Sequence, residues 1–325
     1  MRKQNSIKIL VATYPFGFCD PQSRNILEKT GWKIIYNSFG RRLKGVEVGN
    51  MIENCDGVIA GTEPYTAEIL EKTKNLKILA RVGIGLDNID YNTCKKLGIT
   101  VTFTPEAPSD SVADLTIAQI INLVRKINIS NKSVKEGRWY RTLGELISKI
   151  KIGVLGVGRI GKKVIERLQP FGPIIYAYDI KPDKKFGLKN NLIWVEKDQL
   201  FSLCDLVTIH IPLNKKNYHY VSLKEFTKMK EGSYIINTSR GKIINEKDLE
   251  FCVKNKHLGG VALDVFEEEP YRGCLVNFDN VLLTAHIGAS ARYSRFRMEY
   301  EAAEDCIRVI RGQKPLRLVT EKDFE

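Results

Sequence analysis

Three side chains able to bind or move charge around a carbonyl group lie in the second half of the chain. They are Arg240, Glu269 and His286, each just beyond a short apolar run. An arginine grips a carboxylate through two parallel hydrogen bonds. An imidazole with an ordinary pKa of ~6.5 gives and takes protons near neutrality, and a carboxylate beside the ring favours its charged form. Arg240 sits in Asn237-Thr238-Ser239-Arg240-Gly241 and Glu269 in Asp264-Val265-Phe266-Glu267-Glu268-Glu269-Pro270. His286 follows Val281–Leu283 and precedes Ile287-Gly288-Ala289. Taken singly, the arginine and the glutamate read as readily as solvated charges. Three such groups beyond three successive strands read as a site for proton and hydride chemistry. Of the other histidines, His219 and His257 lie in polar, lysine-rich segments and read as surface residues. His210 closes an apolar run before Pro212, which suits a structural or cofactor-edge role.

The elements that must position these groups alternate between strand and helix. Apolar runs at 7–13, 33–36, 57–61, 77–82 and 100–104 are separated by helical stretches such as 66–73 and 91–97, the pattern of a parallel sheet wrapped by helices. From Ser109-Asp110, apolar residues recur at helical spacing to Ile127, predicting one long helix. A second series, 152–155, 174–178, 206–211, 234–237, 260–263 and 281–283, predicts six strands of a doubly wound dinucleotide fold. A final helix over 291–311 stops at Gly312, with Pro315 beyond. The fold class is therefore α/β, two Rossmann-like or flavodoxin-like parallel-sheet domains with a cleft between them.

The first strand of the second series runs into Gly153-Val154-Leu155-Gly156-Val157-Gly158-Arg159-Ile160-Gly161. Gly156 permits the tight turn, Gly158 a close pyrophosphate approach, and Gly161 close helix–strand packing. The pyrophosphate then faces free N–H groups at a helix N-terminus. Asp179 follows about 20 residues on, where a carboxylate accepts from the adenosine ribose and repels a 2′-phosphate. The predicted cofactor is NAD rather than NADP.

The chain has 325 residues, 43% hydrophobic and 27% charged, an ordinary globular balance with room for two domains. No apolar run nears the ~20 residues of a membrane span. The N-terminus lacks the form of a secretory signal. Seven scattered cysteines with no C-x-x-C fit reduced thiols rather than disulfides or zinc. These features predict a cytoplasmic protein without a metal. The net charge of +13 would suit an anionic partner. Its lysines are dispersed, without basic runs interleaved with aromatics, so neither nucleic acid nor a membrane is expected as a partner.

On the loop at 153–161 and the segments at 81–88, 237–241, 264–270 and 284–290, the chain resembles the D-isomer-specific 2-hydroxyacid dehydrogenases. Within them it is most similar to short forms of D-3-phosphoglycerate dehydrogenase. The resemblance implies a catalytic set of Arg240, Glu269 and His286. It implies cofactor contacts from Gly156, Gly158, Arg159, Ile160, Gly161, Asp179, Thr238, Ser239, Asp264 and Gly288, with Pro212 near the adenine. It places substrate contacts on Arg81, Val82, Gly83 and Arg240. It further implies a discontinuous substrate domain, 1–106 plus 287–325, around an NAD-binding domain of 107–286.

Ala285, Ser239 and Lys242 depart from the family's usual residues beside catalytic positions. The chain stops at Glu325 without the regulatory extension of longer phosphoglycerate dehydrogenases, so serine feedback is not expected. The activity implied is NAD-dependent interconversion of a D-2-hydroxy acid and its 2-oxo acid. Its leading substrate is 3-phosphoglycerate, which would place the chain in serine biosynthesis. Glyoxylate or hydroxypyruvate reduction is the alternative. An NAD-sensing corepressor is the alternative of another class. Arg81 is the candidate contact for a distal phosphate, although it could simply pair with a carboxylate such as Asp87. Arg138 or Arg141 could reach that phosphate from a partner subunit, and Arg41 and Arg42 are weaker candidates. A homodimer through the cofactor domain is expected, with Trp139 and Tyr140 as anchors or, alternatively, a locally buried Trp139.

Overall fold

The computed structural model describes residues 7–323. The chain divides into two compact units. One comprises the residues up to Pro108 and those from Ala289 onward, and the other runs from Ser109 to Gly288.

The first unit holds a five-stranded, all-parallel sheet of β1 (Lys8–Val11), β2 (Lys33–Tyr36), β3 (Gly57–Ala60), β4 (Ile78–Arg81) and β5 (Thr100–Thr102). The order is β2-β1-β3-β4-β5. Successive strand residues point to opposite faces. Leu10, Val58 and Leu79 therefore pack into one buried cluster, and Ile9, Val11, Ile59 and Ile78 into another on the other face. The second cluster is covered by the Arg292–Ile310 helix through Met298, Ala302 and Cys306. That helix also shapes the loop after β1. Buried Glu299 accepts from Gly17 N–H at 2.8 Å and from Arg295 Nε at 2.6 Å, and Arg295 donates to the Pro15 carbonyl at 2.5 Å.

The second unit holds β6 (Lys151–Leu155), β7 (Ile174–Tyr178), β8 (Ile193–Trp194), β9 (Leu206–Ile209), β10 (Ser233–Asn237), β11 (Leu258–Leu263) and β12 (Val281–Leu283). All are parallel, in the order β12-β11-β10-β9-β6-β7-β8. The sheet thus has seven strands rather than the six expected. The added β8 is two residues long and pairs only at the edge, on β7, too short to carry an alternating pattern. The chain winds outward from β6 to β8 and then returns to β9 on the other side of β6. This β6/β9 reversal is the place where an open α/β sheet receives its ligand, beyond the carboxyl ends of its strands. The catalytic candidates follow β10, β11 and β12, three adjacent strands.

The long helix expected from Ser109 is two helices, Ser109–Arg125 and Ile127–Lys135. The break falls at Lys126, which takes a left-handed φ of +54°. No glycine or proline marks it, and the apolar periodicity runs straight through. The last helix ends as expected, with Gly312 left-handed at φ +77° and Gln313 N–H closing on the Arg308 carbonyl at 2.8 Å.

Candidate active site

The glycine loop after β6 has the geometry its spacing predicts. Gly156 adopts φ +93°, and a Cβ there would lie 2.8 Å from the His210 carbonyl oxygen. A Cβ on Gly161 would lie 2.1 Å from the Gly156 carbonyl oxygen, so only glycine lets the Arg159–Leu168 helix meet the turn. Gly158, at the N-cap of that helix, is open on its side-chain face. An anion can approach backbone N–H groups there. Asp179, one residue past β7, accepts from Val157 N–H and from Lys181 N–H, each at 2.8 Å. The loop and the ribose-binding candidate are therefore fixed to each other. His210 bonds through Nε2 to Thr208 Oγ1 at 2.9 Å, while its buried Nδ1 has no partner. Burial pushes its pKa down to about 3, so the ring is neutral. A glycine cradle, an open face at Gly158 and an orphaned ring nitrogen at the β6/β9 reversal together fit a dinucleotide.

The other residues assigned to the cofactor divide into two groups. Arg159 and Pro212 are exposed, and Ile160 is half-buried against the unit's core. Thr238, Ser239, Asp264 and Gly288 are bonded within the protein. Thr238 and Thr116 share a hydroxyl bond at 3.1 Å, and Ser239 donates from both N–H and Oγ to Asn237 Oδ1 at 3.0 and 2.7 Å. Asp264 is 1% exposed. It accepts from Thr284 Oγ1 at 2.5 Å and from Ile287 and Gly288 N–H at 2.8 Å each.

These bonds build the turns that carry the reactive groups. Asn237 is fully buried at the end of β10, and its Nδ2 donates to the Arg240 carbonyl at 2.9 Å. Asparagine closing its own turn in this way is a general turn device. It places Arg240, whose Nη1 donates to the Ser239 carbonyl at 2.8 Å. His286 is left-handed at φ +52°, a conformation uncommon outside glycine. Its N–H donates to the Asp264 carbonyl at 2.9 Å, and its turn closes on the Asp264 carboxylate.

His286 Nδ1 meets both carboxylate oxygens of Glu269, at 3.1 and 3.0 Å. Its Nε2 has no hydrogen bond among the described residues, so one ring nitrogen is held while the other is left to a ligand or solvent, and the side chain is exposed. Partial burial pushes the Glu269 pKa up, but the His286 hydrogen bond and charge, the Phe266 N–H and the Arg240 charge outweigh it. The net effect is a Glu269 carboxyl below the usual range. Arg240 thus acts electrostatically on the same carboxylate that bonds His286. The structure brings the three candidates together.

In the first unit, the substrate-loop residues use their polar groups internally. Val82 N–H donates to the Ala60 carbonyl and Gly83 N–H to Thr104 Oγ1, both at 2.8 Å. Arg81 is 7% exposed. Its Nε donates to the Gly85 carbonyl at 3.1 Å and its Nη1 to the Val82 carbonyl.

His219 and His257 are half-buried, and each is bonded within the protein. His219 Nε2 bonds Glu267 Oε1 at 2.9 Å, and its backbone is left-handed at φ +49°. His257 bonds the Phe226 carbonyl at 2.8 Å. Asn237, Glu246 and Glu267 received no role from the sequence. Only Asn237 carried a signal, as an asparagine at a strand end.

Residues 117–288 match the family described as D-isomer specific 2-hydroxyacid dehydrogenase, NAD binding domain. The chain belongs to the D-isomer-specific 2-hydroxyacid dehydrogenases. Its relatives include a glyoxylate reductase of Thermofilum pendens, 35% identical over 80% of this chain and 80% of that protein. A hydroxypyruvate reductase of Thermotoga maritima is 39% identical over 76% of this chain and 82% of that protein. The D-3-phosphoglycerate dehydrogenase of Homo sapiens is 32% identical over 90% of this chain but only 55% of that protein. The protein is thus an NAD-dependent dehydrogenase by family. Among the described residues no helix is long and apolar enough to cross a membrane, and no cluster of His, Cys, Asp and Glu could hold a metal ion.

Two expectations follow for this dehydrogenase. Asp179→Ala should weaken NADH binding by about 10–100-fold, the scale of charge-assisted hydrogen bonds. It should also narrow the preference over NADPH, because the repelling charge is gone. Fluorescence titration with both cofactors measures this, and a wild type that already prefers NADPH refutes the placement. The second expectation concerns acid. The Glu269 pKa is lowered in the folded state, so its pairing contributes stability above the ordinary carboxylate pKa and loses it as pH falls through the lowered value. The difference in denaturation midpoint between wild type and Glu269→Gln should therefore shrink in acid, from about pH 4 downward. A difference independent of pH would mean that the ion pair with His286 contributes nothing.

Proposed function

We propose that the protein reduces a short 2-oxo acid of the glyoxylate and hydroxypyruvate class to the D-2-hydroxy acid, and catalyses the reverse oxidation. The observation that carries the chemistry is His286, bonded through Nδ1 to both oxygens of Glu269, the same carboxylate on which the Arg240 charge acts. In this reading Arg240 clamps the substrate carboxylate and polarises the C2 oxygen. His286 Nε2 gives its proton to that oxygen during reduction and takes it back during oxidation. Glu269 holds the ring orientation through Nδ1. NAD(H) supplies or accepts the hydride at C2. The assignment of Val82 and Gly83 to the substrate carboxylate rests on the family resemblance, since both N–H groups already have acceptors.

A short acid is favoured over 3-phosphoglycerate by the state of Arg81, the leading phosphate candidate. A distal phosphate needs an available guanidinium, and Arg81 is buried with its guanidinium on the carbonyls of its own loop. Arg41 is held by both oxygens of Glu47, at 2.9 and 2.7 Å, and Arg138 pairs with Glu136. The phosphoglycerate reading stands second, supported by relatives of that name that match 90% of the chain.

Purified protein should oxidise NADH with glyoxylate or hydroxypyruvate faster than it reduces NAD with 3-phosphoglycerate. His286→Ala should lower kcat by about 10²–10⁴ and leave NADH binding intact. If Arg81 shapes its loop, Arg81→Ala should weaken both substrates in the same proportion. A loss confined to 3-phosphoglycerate would restore the phosphate reading. No turnover with any 2-oxo acid, beside tight NADH binding, would favour the corepressor alternative.

We also propose a homodimer through the 109–288 unit. Trp139 and Tyr140 are 81% and 66% exposed, which removes the alternative of a locally buried tryptophan. They border a groove of about 610 Å³ lined by Ile121, Ile127 and Val134, and Leu143 and Leu146 continue the apolar surface. Aromatic side chains on such a face are typical interface anchors. A second copy is the occupant proposed. Light scattering at micromolar concentration should give twice the chain mass, and Trp139→Glu with Tyr140→Glu should give monomers. A monomeric wild type would count against it.

A further inference from the structure

The loop that carries Glu269 is anchored by a neighbour two residues upstream. Glu267 Oε1 accepts from His219 Nε2 at 2.9 Å and from Glu246 N–H at 3.0 Å. In return, Glu267 N–H donates to Glu246 Oε1 at 2.5 Å. Glu246 is the first residue of the Glu246–Lys254 helix, so Glu267 satisfies one of the N–H groups that a helix leaves unpaired at its start. A carboxylate there also faces the positive end of the helix dipole. His219 is itself fixed, since its N–H donates to the Lys242 carbonyl at 2.8 Å and its ring stacks on Tyr218. Val221 N–H continues this contact to the Ile243 carbonyl at 3.0 Å.

The same loop touches the turn that carries Arg240. A Cβ on Gly241 would lie 1.9 Å from the Phe266 carbonyl carbon and 2.5 Å from Glu267 N. The backbone after Arg240 and the backbone before Glu269 are thus in direct contact. Phe266, between them, stacks on Tyr271 at 4.6 Å and donates its N–H to Glu269 Oε1 at 3.2 Å. Glu268, between Glu267 and Glu269, is exposed.

We propose that Glu267 is a positioning residue, held by His219 and by Glu246, that fixes the Glu269 carboxylate against His286 and in register with Arg240. The inference rests on Glu269 and His286 being the proton-transfer pair. A carboxylate on an exposed loop would otherwise sample orientations in which one or neither oxygen meets Nδ1. Fixing Glu267 two residues away removes that freedom without adding a group to the reacting atoms. Groups facing Glu267 are His219 from the 214–221 segment and Glu246, and Glu250, further along the same helix, acts on Glu246. The burial of Glu246, together with the charges of Glu267, Glu250 and Glu269, pushes its carboxyl up. The four glutamates thus share one field.

The test compares Glu267→Ala, Glu267→Gln and His219→Asn with Glu268→Ala as control. Asparagine tolerates the left-handed backbone at 219 but cannot reach Glu267. Glu267→Ala should lower kcat about 10–100-fold, the range seen when residues that orient a reactive ligand are removed, while NADH affinity changes less than about twofold. The pH profile of reduction should also differ from the wild type, because the carboxylate beside the proton-transfer ring is no longer aligned. Glu267→Gln keeps an oxygen for Glu246 N–H and should recover most of kcat. His219→Asn should fall between, and Glu268→Ala should match the wild type in rate and profile. A wild-type kcat and pH profile in Glu267→Ala overturns the proposal. So does a glutamine variant no better than alanine, or a loss of NADH binding equal to the loss of kcat. If His286→Ala is also fully active, the proton-transfer reading itself fails. If His286→Ala is inactive and Glu267→Ala is normal, only the positioning role fails.

Discussion

The turn after β12 depends on one buried carboxylate. His286 takes a left-handed backbone that costs a non-glycine residue roughly 1–3 kcal/mol. Asp264 offsets that cost from the end of the adjacent strand. Its two oxygens collect the Thr284 hydroxyl and the N–H groups of Ile287 and Gly288, and its carbonyl takes the His286 N–H. A charged acceptor with this many donors is a strong interaction when shielded from water. Without it the turn relaxes, and the imidazole no longer points Nδ1 at Glu269. Asp264 therefore sets the backbone geometry of the His286 turn.

Each of the three reactive side chains is placed by a comparable device in the residues around it. Buried Asn237 closes the Arg240 turn, Asp264 closes the His286 turn, and Glu267 ties down the Glu269 loop. The parallel sheet supplies the reason these devices converge. Parallel strands send all their carboxyl ends to one edge, and β10, β11 and β12 are neighbours in register. Residues distant in sequence are brought together by strand order alone. The polar groups of the turns then set orientation, which strand order cannot.

Legibility in the sequence followed the same division. The parallel strands were readable because both faces of each sheet are buried, leaving compact β-branched runs. The glycine loop was readable because each glycine answers a steric demand that no other residue meets, as the 2.1 Å approach at Gly161 illustrates. The break at Lys126 was not readable, since a left-handed lysine leaves no compositional mark. β8 was too short to show alternation. The bond from His219 to Glu267 was not readable either, since its partner lies 48 residues away on another strand's loop. Pairings of that kind belong to topology and have no local signal.

Arg81 shows why residue type alone does not fix a substrate. An arginine at the end of a sheet strand, beside a glycine-rich loop, has the charge and reach to meet a phosphate. Here the loop turns back under it. Gly83, at φ +137°, brings the backbone so close that a Cβ would sit 2.8 Å from Arg81 Nη1. The guanidinium then serves two carbonyls that the turn leaves without ladder partners. Buried carbonyls need donors as much as anions need cations, and a planar group with five N–H bonds answers either need. What separates the two uses is accessibility, and at 7% exposure Arg81 has little left for a ligand in solution. In the structure the guanidinium therefore shapes the Val82–Gly85 loop, whereas contact with an anion would need a cation that still faces solvent.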